Sequence, residues 1–282
     1  MCRICCMRNK VFIMIALILL ITSSLSSCMA EDKKEAKRNL FDALENNDRR
    51  AVSDILDEYP KLVNEDYYTF ITPIDAPNSS PLLTAIVYGD LDMVSLLVEK
   101  GADVNDSTVK IYPLHKALDL GKYDIAWYLI EHGADLSALS SSWEESVAFC
   151  ILSHKIHSDD GEKEQAQFEL LKYVLENGAP LDPPIGCQEG IKTLLGLAAY
   201  QNNSLVVQYL LDEKIYDIDE IVNPKYTQKT ALIIAVEQQS YNACQILLDY
   251  GADKSIKDTY DKTAVDYAEE LNDERLIAML NK

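Results

Sequence analysis

The chain is expected to fold as an all-α solenoid of stacked helix-turn-helix units joined by finger loops. Three observations predict this. An alanine-centred pattern recurs, its two clearest copies keeping one constant separation throughout; the copies share one set of apolar offsets; and most close on glycine. With the alanine as zero, aliphatic or small residues fall at +9, +12 and +13, and a glycine at +16. The clearest copies run from Ser80 to Asp103 around Ala85 and from Tyr112 to Asp135 around Ala117. Others centre on Ala198 (Val207, Leu210, Leu211, Lys214) and Ala235 (Cys244, Leu247, Leu248, Gly251), with a fainter first copy at Ala43 (Val52, Ile55, Leu56, Tyr59). A unit this short cannot bury its apolar face alone. Copies must therefore stack, and a period of about 33 residues belongs to helical hairpins.

At these residues the chain resembles ankyrin repeats. The family's Thr-Pro-Leu-His-x-Ala opening is nearly complete at Tyr112-Pro113-Leu114-His115-Lys116-Ala117. Its Gly-Ala-Asp ending appears at 101–103, 133–135 and 251–253, and in altered form at Gly178-Ala179-Pro180. The resemblance covers residues 39–282, about seven units including caps. It implies a protein-binding scaffold whose partner lies along a concave side, against finger tips and exposed inner-helix positions. For His115 it implies a structural hydrogen bond within the repeat.

Taken in order, residues 1–27 read as an export signal. Arg3, Arg8 and Lys10 precede an apolar run over 11–21. As a helix that run rises only about 16 Å, short of a ~30 Å hydrocarbon core but right for a signal-peptide core. Leu25-Ser26-Ser27-Cys28 resembles a bacterial lipobox. That resemblance implies cleavage before Cys28 and its acylation, and more than one chain makes a stable anchor. Met29 rather than Asp follows, which in enteric-type sorting implies an outer membrane. Cys2, Cys5 and Cys6 are then discarded, so their spacing is no metal site. Residues 28–38, charged and without a core pattern, read as a lipidated tether.

Residues 39–60 form the opening cap, and Pro60 helps to end its second helix. The connection over 64–80 holds Tyr67, Tyr68 and Phe70. These aromatics either form a binding tip or fold back on the cap's edge. Two regular repeats follow. In the third, Cys150 is placed in the alanine column, one repeat period after Ala117. Counted from Cys150, the +9 residue arrives only at +21, as Leu171, with Val174 and Leu175 behind it. An insertion near 153–166 is therefore expected between the helices, carrying His154, His157, Asp159 and Asp160. These residue types suit a divalent metal, but solvated loop residues read the same way, and no metal site is assigned. The fourth repeat has Lys214 at the closing glycine. A left-handed conformation there costs roughly 1 kcal/mol, so residues 214–229 are expected to take a different path. The fifth repeat returns to pattern, and the segment from Lys262 to the end closes the stack.

No catalytic constellation appears. The chain holds only 4 histidines and no nucleophile elbow, zincin motif or phosphate-binding glycine loop. His132, beside a helix-ending glycine, suits the helix dipole as a cation. Cys150 and Cys244 read as buried small hydrophobes, Cys187 as a loop thiol, and the set makes no disulfide framework. No cofactor is expected. A net charge of −20 disfavours nucleic acid. It either only keeps a long solenoid soluble or also selects a neutral or basic protein partner.

Candidate partner-binding residues are those at +2 and +3 from each alanine, on the nominally wet side of the inner helices. They are Val87 and Tyr88, Asp119 and Leu120, Tyr200 and Gln201, and Glu237 and Gln238. The expected protein is a monomeric, non-catalytic binding scaffold lipid-anchored at a bacterial cell envelope. An inhibitor or immunity factor, and a structural envelope tether, are the competing readings.

Overall fold

The computed structural model describes residues 31–66, 80–107, 111–140, 145–153, 161–181, 190–223 and 227–282. Among these, every regular element is a helix, and β pairing is confined to two isolated antiparallel bridges, Leu139 with Ser146 and Ile221 with Thr230. The chain divides into two units, residues 1–103 and 104–282.

In the first unit, residues 31–45 (α1) and Arg49–Glu58 (α2) form the opening hairpin, followed by a 3-10 turn at Pro60–Asn64. The charged stretch read as a tether is thus helical from residue 31 onward. Lys33 and Lys37 tie it to Glu65 at 2.6 and 3.8 Å. The second hairpin is Pro81–Tyr88 (α3) with Leu91–Glu99 (α4). Leu40, Leu44, Val52, Leu56, Ala85, Ile86, Met93, Val94 and Leu97 make this unit's core.

The second unit has five hairpins. They are Pro113–Asp119 (α5) with Tyr123–Glu131 (α6), Val147–Ser153 (α7) with Gly161–Glu176 (α8), and Leu194–Tyr200 (α9) with Ser204–Asp212 (α10). Ala231–Glu237 (α11) with Tyr241–Asp249 (α12), and Ala264–Glu270 (α13) with Glu274–Leu280 (α14), complete it. Inner helices pack in chain order, α5 on α7, α7 on α9, α9 on α11 and α11 on α13. The outer helices lie behind them.

Local chemistry sets each boundary. A hydroxyl five residues before the alanine caps most inner helices: Ser80, Thr193, Thr230 and Thr263 each accept from the backbone N–H three residues on. Four residues after the alanine, the sharp turn into the outer helix takes a left-handed residue in five hairpins, whereas Gly89 after α3 stays extended at φ −92°. Asn47, Gly121, Asn202, Gln239 and Asn272 supply the left-handed turn, with φ between 52° and 65°. Fingers are held to the preceding repeat by one side chain. Asn64 donates to Gly101 O and accepts from Asp103 N (both 2.9 Å), and Asn105 does the same to Gly133 O and Asp135 N (2.9 and 2.8 Å). Asp219 accepts from Asp253 N at 2.9 Å.

Three expectations are corrected. Ser146 caps α7 and starts it one residue later than the count from Ala117 gave, so Ile151, not Cys150, occupies the alanine column. The preceding finger is one residue longer, and the insertion is one residue shorter than the count from Cys150 implied. Cys150 is buried even so, as Cys244 is. Much of the insertion is helix: α8 starts seven residues before the regular position at Phe168. Gln167 anchors this extension. It is buried, donates to Ile151 O at 2.6 Å and Tyr123 Oη at 3.2 Å, and accepts from Asn203 Nδ2 at 3.4 Å. His154, His157, Asp159 and Asp160 lie outside the described residues.

The second correction concerns Lys214. It is left-handed (φ 54°) and closes its hairpin like the glycines do. Ile215 N donates to Leu210 O at 3.0 Å, as Ala102 N donates to Leu97 O at 2.9 Å. The glycines stand near φ 90°, whereas Lys214 stays in the left-handed helical basin that side chains tolerate at modest cost. The path departs later, at the bridge of Ile221 with Thr230, where Val222 N donates to Lys229 O at 2.9 Å. Third, neither ring nitrogen of His115 has a hydrogen-bond partner among the described residues, although the ring is 3% exposed. Its burial pushes the imidazole pKa down to about 4, while the backbone of Glu145 pulls the other way.

Candidate partner-binding surface

The short inner helices all end two or three residues past the alanine column, so the residues at +2 and +3 lie at their C-terminal ends. In the first unit this places Val87 and Tyr88 in solvent, Tyr88 at 53% exposure. In the second unit, α5 ends with Asp119 and Leu120, both exposed. Asp119 is close enough to Glu145 to help raise that carboxyl's pKa, though burial is the larger cause and the Cys150 thiol at 3.7 Å works against it.

The next positions are less open than their column suggests. Gln201 turns inward and donates to Leu152 O at 2.5 Å. Tyr200 is half-buried, and Glu237 receives both of its hydrogen bonds from one ammonium, Lys229 Nζ, at 2.7 Å to each oxygen. Gln238 is exposed at the end of α11. Tyr67, Tyr68, Phe70 and Cys28 lie outside the described residues.

Tyr200, Glu237 and Gln238 line a notch of about 140 Å³ between α9 and α11 together with Ile191, Asn223, Thr227, Lys229 and Ile234. Lys229 keeps 9% of its side chain exposed, against 34% for Glu237. Its ammonium lies 4.8 Å from the Tyr267 ring centroid, and Lys262 covers the same ring at 5.2 Å. Tyr267 Oη donates to Asp258 at 2.7 Å. Burial, then this carboxylate, pushes the phenol pKa up. Although burial alone would raise the pKa of Asp258, bonds from Tyr267 and from the Lys262 and Tyr260 amides outweigh it and lower it. Lys262 repeats the arrangement with Glu270 at 2.7 Å.

Reading the sequence by columns missed Lys229 and this staple. The signal was present: Lys262 follows Lys229 at one repeat period, and each has a glutamate eight positions on, Glu237 and Glu270. His132 ends α6 as expected, its Nδ1 2.7 Å from Tyr128 O and its ring stacked on that tyrosine at 4.0 Å. Among the described residues no group of three or more His, Cys, Asp or Glu side chains could hold a metal. No described helix is long and apolar enough to cross a membrane.

Stacked helical hairpins with fingers define an ankyrin-type repeat solenoid. The family model for ankyrin repeats (three copies) matches residues 40–139 and 163–258, and the chain belongs to that family. Ankyrin repeat and SAM domain-containing protein 6 of Rattus norvegicus is 34% identical over 108 residues, 38% of this chain and 11% of that protein. Alpha-latrotoxin-Lg1a of Latrodectus geometricus is 27% identical over 190 residues, 67% of this chain and 13% of the toxin. The chain thus spans little more than a tenth of these relatives. The crystal structure of the human ASB11 ankyrin repeat domain matches with a TM-score of 0.61 at 21% identity, covering 86% of this chain and 96% of that one. Ankyrin repeats are generally a protein-interaction fold.

Proposed function

We propose that this chain is a non-catalytic scaffold, lipid-anchored through Cys28 at a bacterial cell envelope, that binds a neutral or basic protein through the ends of its inner helices. The observation that carries the reading is the set of apolar and aromatic side chains left in solvent there, with Tyr88, Val87 and Leu120 among the exposed large hydrophobic residues. Tyrosine is common at energetic hot spots, and solubility alone does not call for such residues at positions that recur with the repeat. Charge supports the choice of partner. Three basic and no acidic residues fall within the first 30, so residues 31–282 carry −20 − 3 = −23. That field speeds encounter with cationic surfaces and disfavours acidic ones. The anchor rests on the short apolar run and Leu25-Ser26-Ser27-Cys28.

The test is a pull-down from native envelope extract with tagged full-length chain beside a Tyr88→Ala/Leu120→Ala/Tyr200→Ala variant. A saturable partner lost only in the variant supports the reading, and a partner retained by it moves the site to finger tips or the insertion. Metabolic labelling with a fatty acid, beside Cys28→Ser, tests the anchor. Label retained by the serine variant rules out acylation at Cys28.

A further inference from the structure

We propose that the outward face of α6, α8 and α10 is a second docking surface, fitted to a cationic amphipathic segment of another protein. Two residues of this face break polar columns of the repeat. Two places before the +9 residue, six hairpins carry Arg50, Asp92, Asp124, Glu169, Asn242 and Arg275, all of them exposed. The hairpin of α9 and α10 carries Leu205 there instead, left 38% exposed. One place after the +9 residue, where the other hairpins hold serine, lysine, glutamine or alanine, α6 carries Trp127. A lone exposed leucine needs no explanation, but these two flank α8 and join its aromatic side chains.

Trp127 meets Tyr173 edge-on, with 4.9 Å between ring centroids, and Tyr173 is itself 38% exposed. Across α8, Phe168 meets Tyr209 edge-on at 5.6 Å, and Leu205 lies one turn from Tyr209 on the same side of α10. Trp127, Phe168 and Tyr209 are half-buried. Each ring is thus held by its neighbours with part of it left in water. Rings fixed in this way lose little freedom on binding, which makes them effective contact area.

Charge selects the occupant. The three helices hold seven acidic residues and two lysines, 2 − 7 = −5 net. The acidity reaches the aromatic cleft. The Tyr209 phenol pKa is raised by burial first, then by Glu176 at the end of α8 and Glu213 at the end of α10. Lys172, 4.0 Å from Glu176 and 6.0 Å from the Tyr209 ring centroid, offsets only part of this. Aromatic residues also mark surfaces that rest on bilayers, but anionic headgroups attract lysine and arginine, and this face is acidic. A second copy would set −5 against −5. A cationic segment with an apolar row meets both features: its apolar side chains cover Leu205 and the ring edges, and its cations face the carboxylates.

The experiment is an NMR titration of the full-length chain, kept in mild non-ionic detergent, with a short amphipathic peptide of leucine and lysine. A peptide with glutamate at every lysine position is the control. Saturable shifts at Trp127, Phe168, Tyr173, Leu205 and Tyr209 are expected with the lysine peptide, and none with the glutamate peptide. The deciding variant is Trp127→Ser/Leu205→Asp, which installs residue types that the same columns carry elsewhere in the chain. It makes the face more acidic while removing apolar area, so a merely electrostatic association would tighten. Docking as proposed weakens about tenfold. Should the double variant not fold, Leu205→Asp alone, at an exposed position, carries the same test with a loss of about threefold.

Unchanged or tighter binding by the variant would overturn the surface, as would shifts spread over other acidic faces. So would shifts at these five residues when phosphatidylglycerol is added to the micelles or the protein alone is concentrated. The Tyr88→Ala/Leu120→Ala/Tyr200→Ala variant should leave the peptide titration unchanged, and a titration lost there would move the peptide to the inner-helix ends and overturn the outer face. Loss of the partner in that variant and loss of the peptide in this one therefore report on the two readings separately.

Discussion

Replacing His115 by leucine should flatten the stability of the second unit between pH 7.5 and 5. The imidazole is 3% exposed, neither nitrogen has a partner among the described residues, and its pKa is lowered to about 4 from 6.5. A folded pKa below the unfolded one means that the unfolded chain binds the proton first. The resulting stability is complete above pH 6.5 and is lost as pH falls toward 4. Linkage between those two values gives a loss of about 2 kcal/mol from pH 7.5 to pH 5 and about 3 kcal/mol once both states are protonated. Glu145, whose pKa is raised mainly by burial, works the other way on acidification, so the wild-type slope mixes the two. The difference between wild type and His115→Leu removes that mixing. At pH 7.5 the variant should lie within about 1 kcal/mol of wild type, because neither ring nitrogen makes a well-formed hydrogen bond among the described residues and an apolar side chain suits the site. Urea denaturation at several pH values, followed by circular dichroism, measures both quantities. Parallel pH profiles for the two proteins would refute the argument, as would a loss of several kcal/mol at pH 7.5.

The closing column allows a paired comparison by thermal melts: Gly133→Ala, at φ 89° with open space around its Cβ, should cost about 1–2 kcal/mol from the backbone alone, whereas Lys214→Gly should gain about 0.5–1 kcal/mol. Asn105→Ala breaks both bonds to the next finger and should cost about 1–2 kcal/mol, with hydrogen exchange at the Asp135 amide accelerating. Cys244, its thiol pKa pushed up to about 12 by burial, should resist iodoacetamide at pH 8 until the protein unfolds, as peptide mass mapping would report.

The repeat ruler placed the buried core well. Val94, Ala126, Val207 and Cys244, all at +9, are fully buried, because an apolar residue at fixed offset from a helix end has only one face to occupy. Exposure of Tyr88 and Leu120 was also legible, since +2 and +3 end the inner helix wherever the alanine is placed correctly. The misplacement of Cys150 shows the limit of counting. A finger can lengthen by one residue without disturbing the helices it joins, and only the Ser146 cap reveals the slip. Lys214 failed for a different reason, because glycine's absence was read as the absence of the turn. Asparagine and glutamine fill the left-handed position four residues after the alanine in this same chain, so the turn does not require glycine.

The amino-acid sequence by itself determined the period, the helical hairpins, the buried columns and the family, since each follows from apolar spacing and capping within about 33 residues. Tertiary structure decided which candidate side chains remain available to a partner. Glu237 is tied to Lys229, Gln201 to the end of the neighbouring inner helix, and Tyr200 to the wall of a notch. Those commitments join residues up to 49 positions apart, as Gln201 and Leu152 are. They depend on how one repeat stacks on the next, and that is a matter of side-chain geometry at the contact rather than of any residue's place in the repeat.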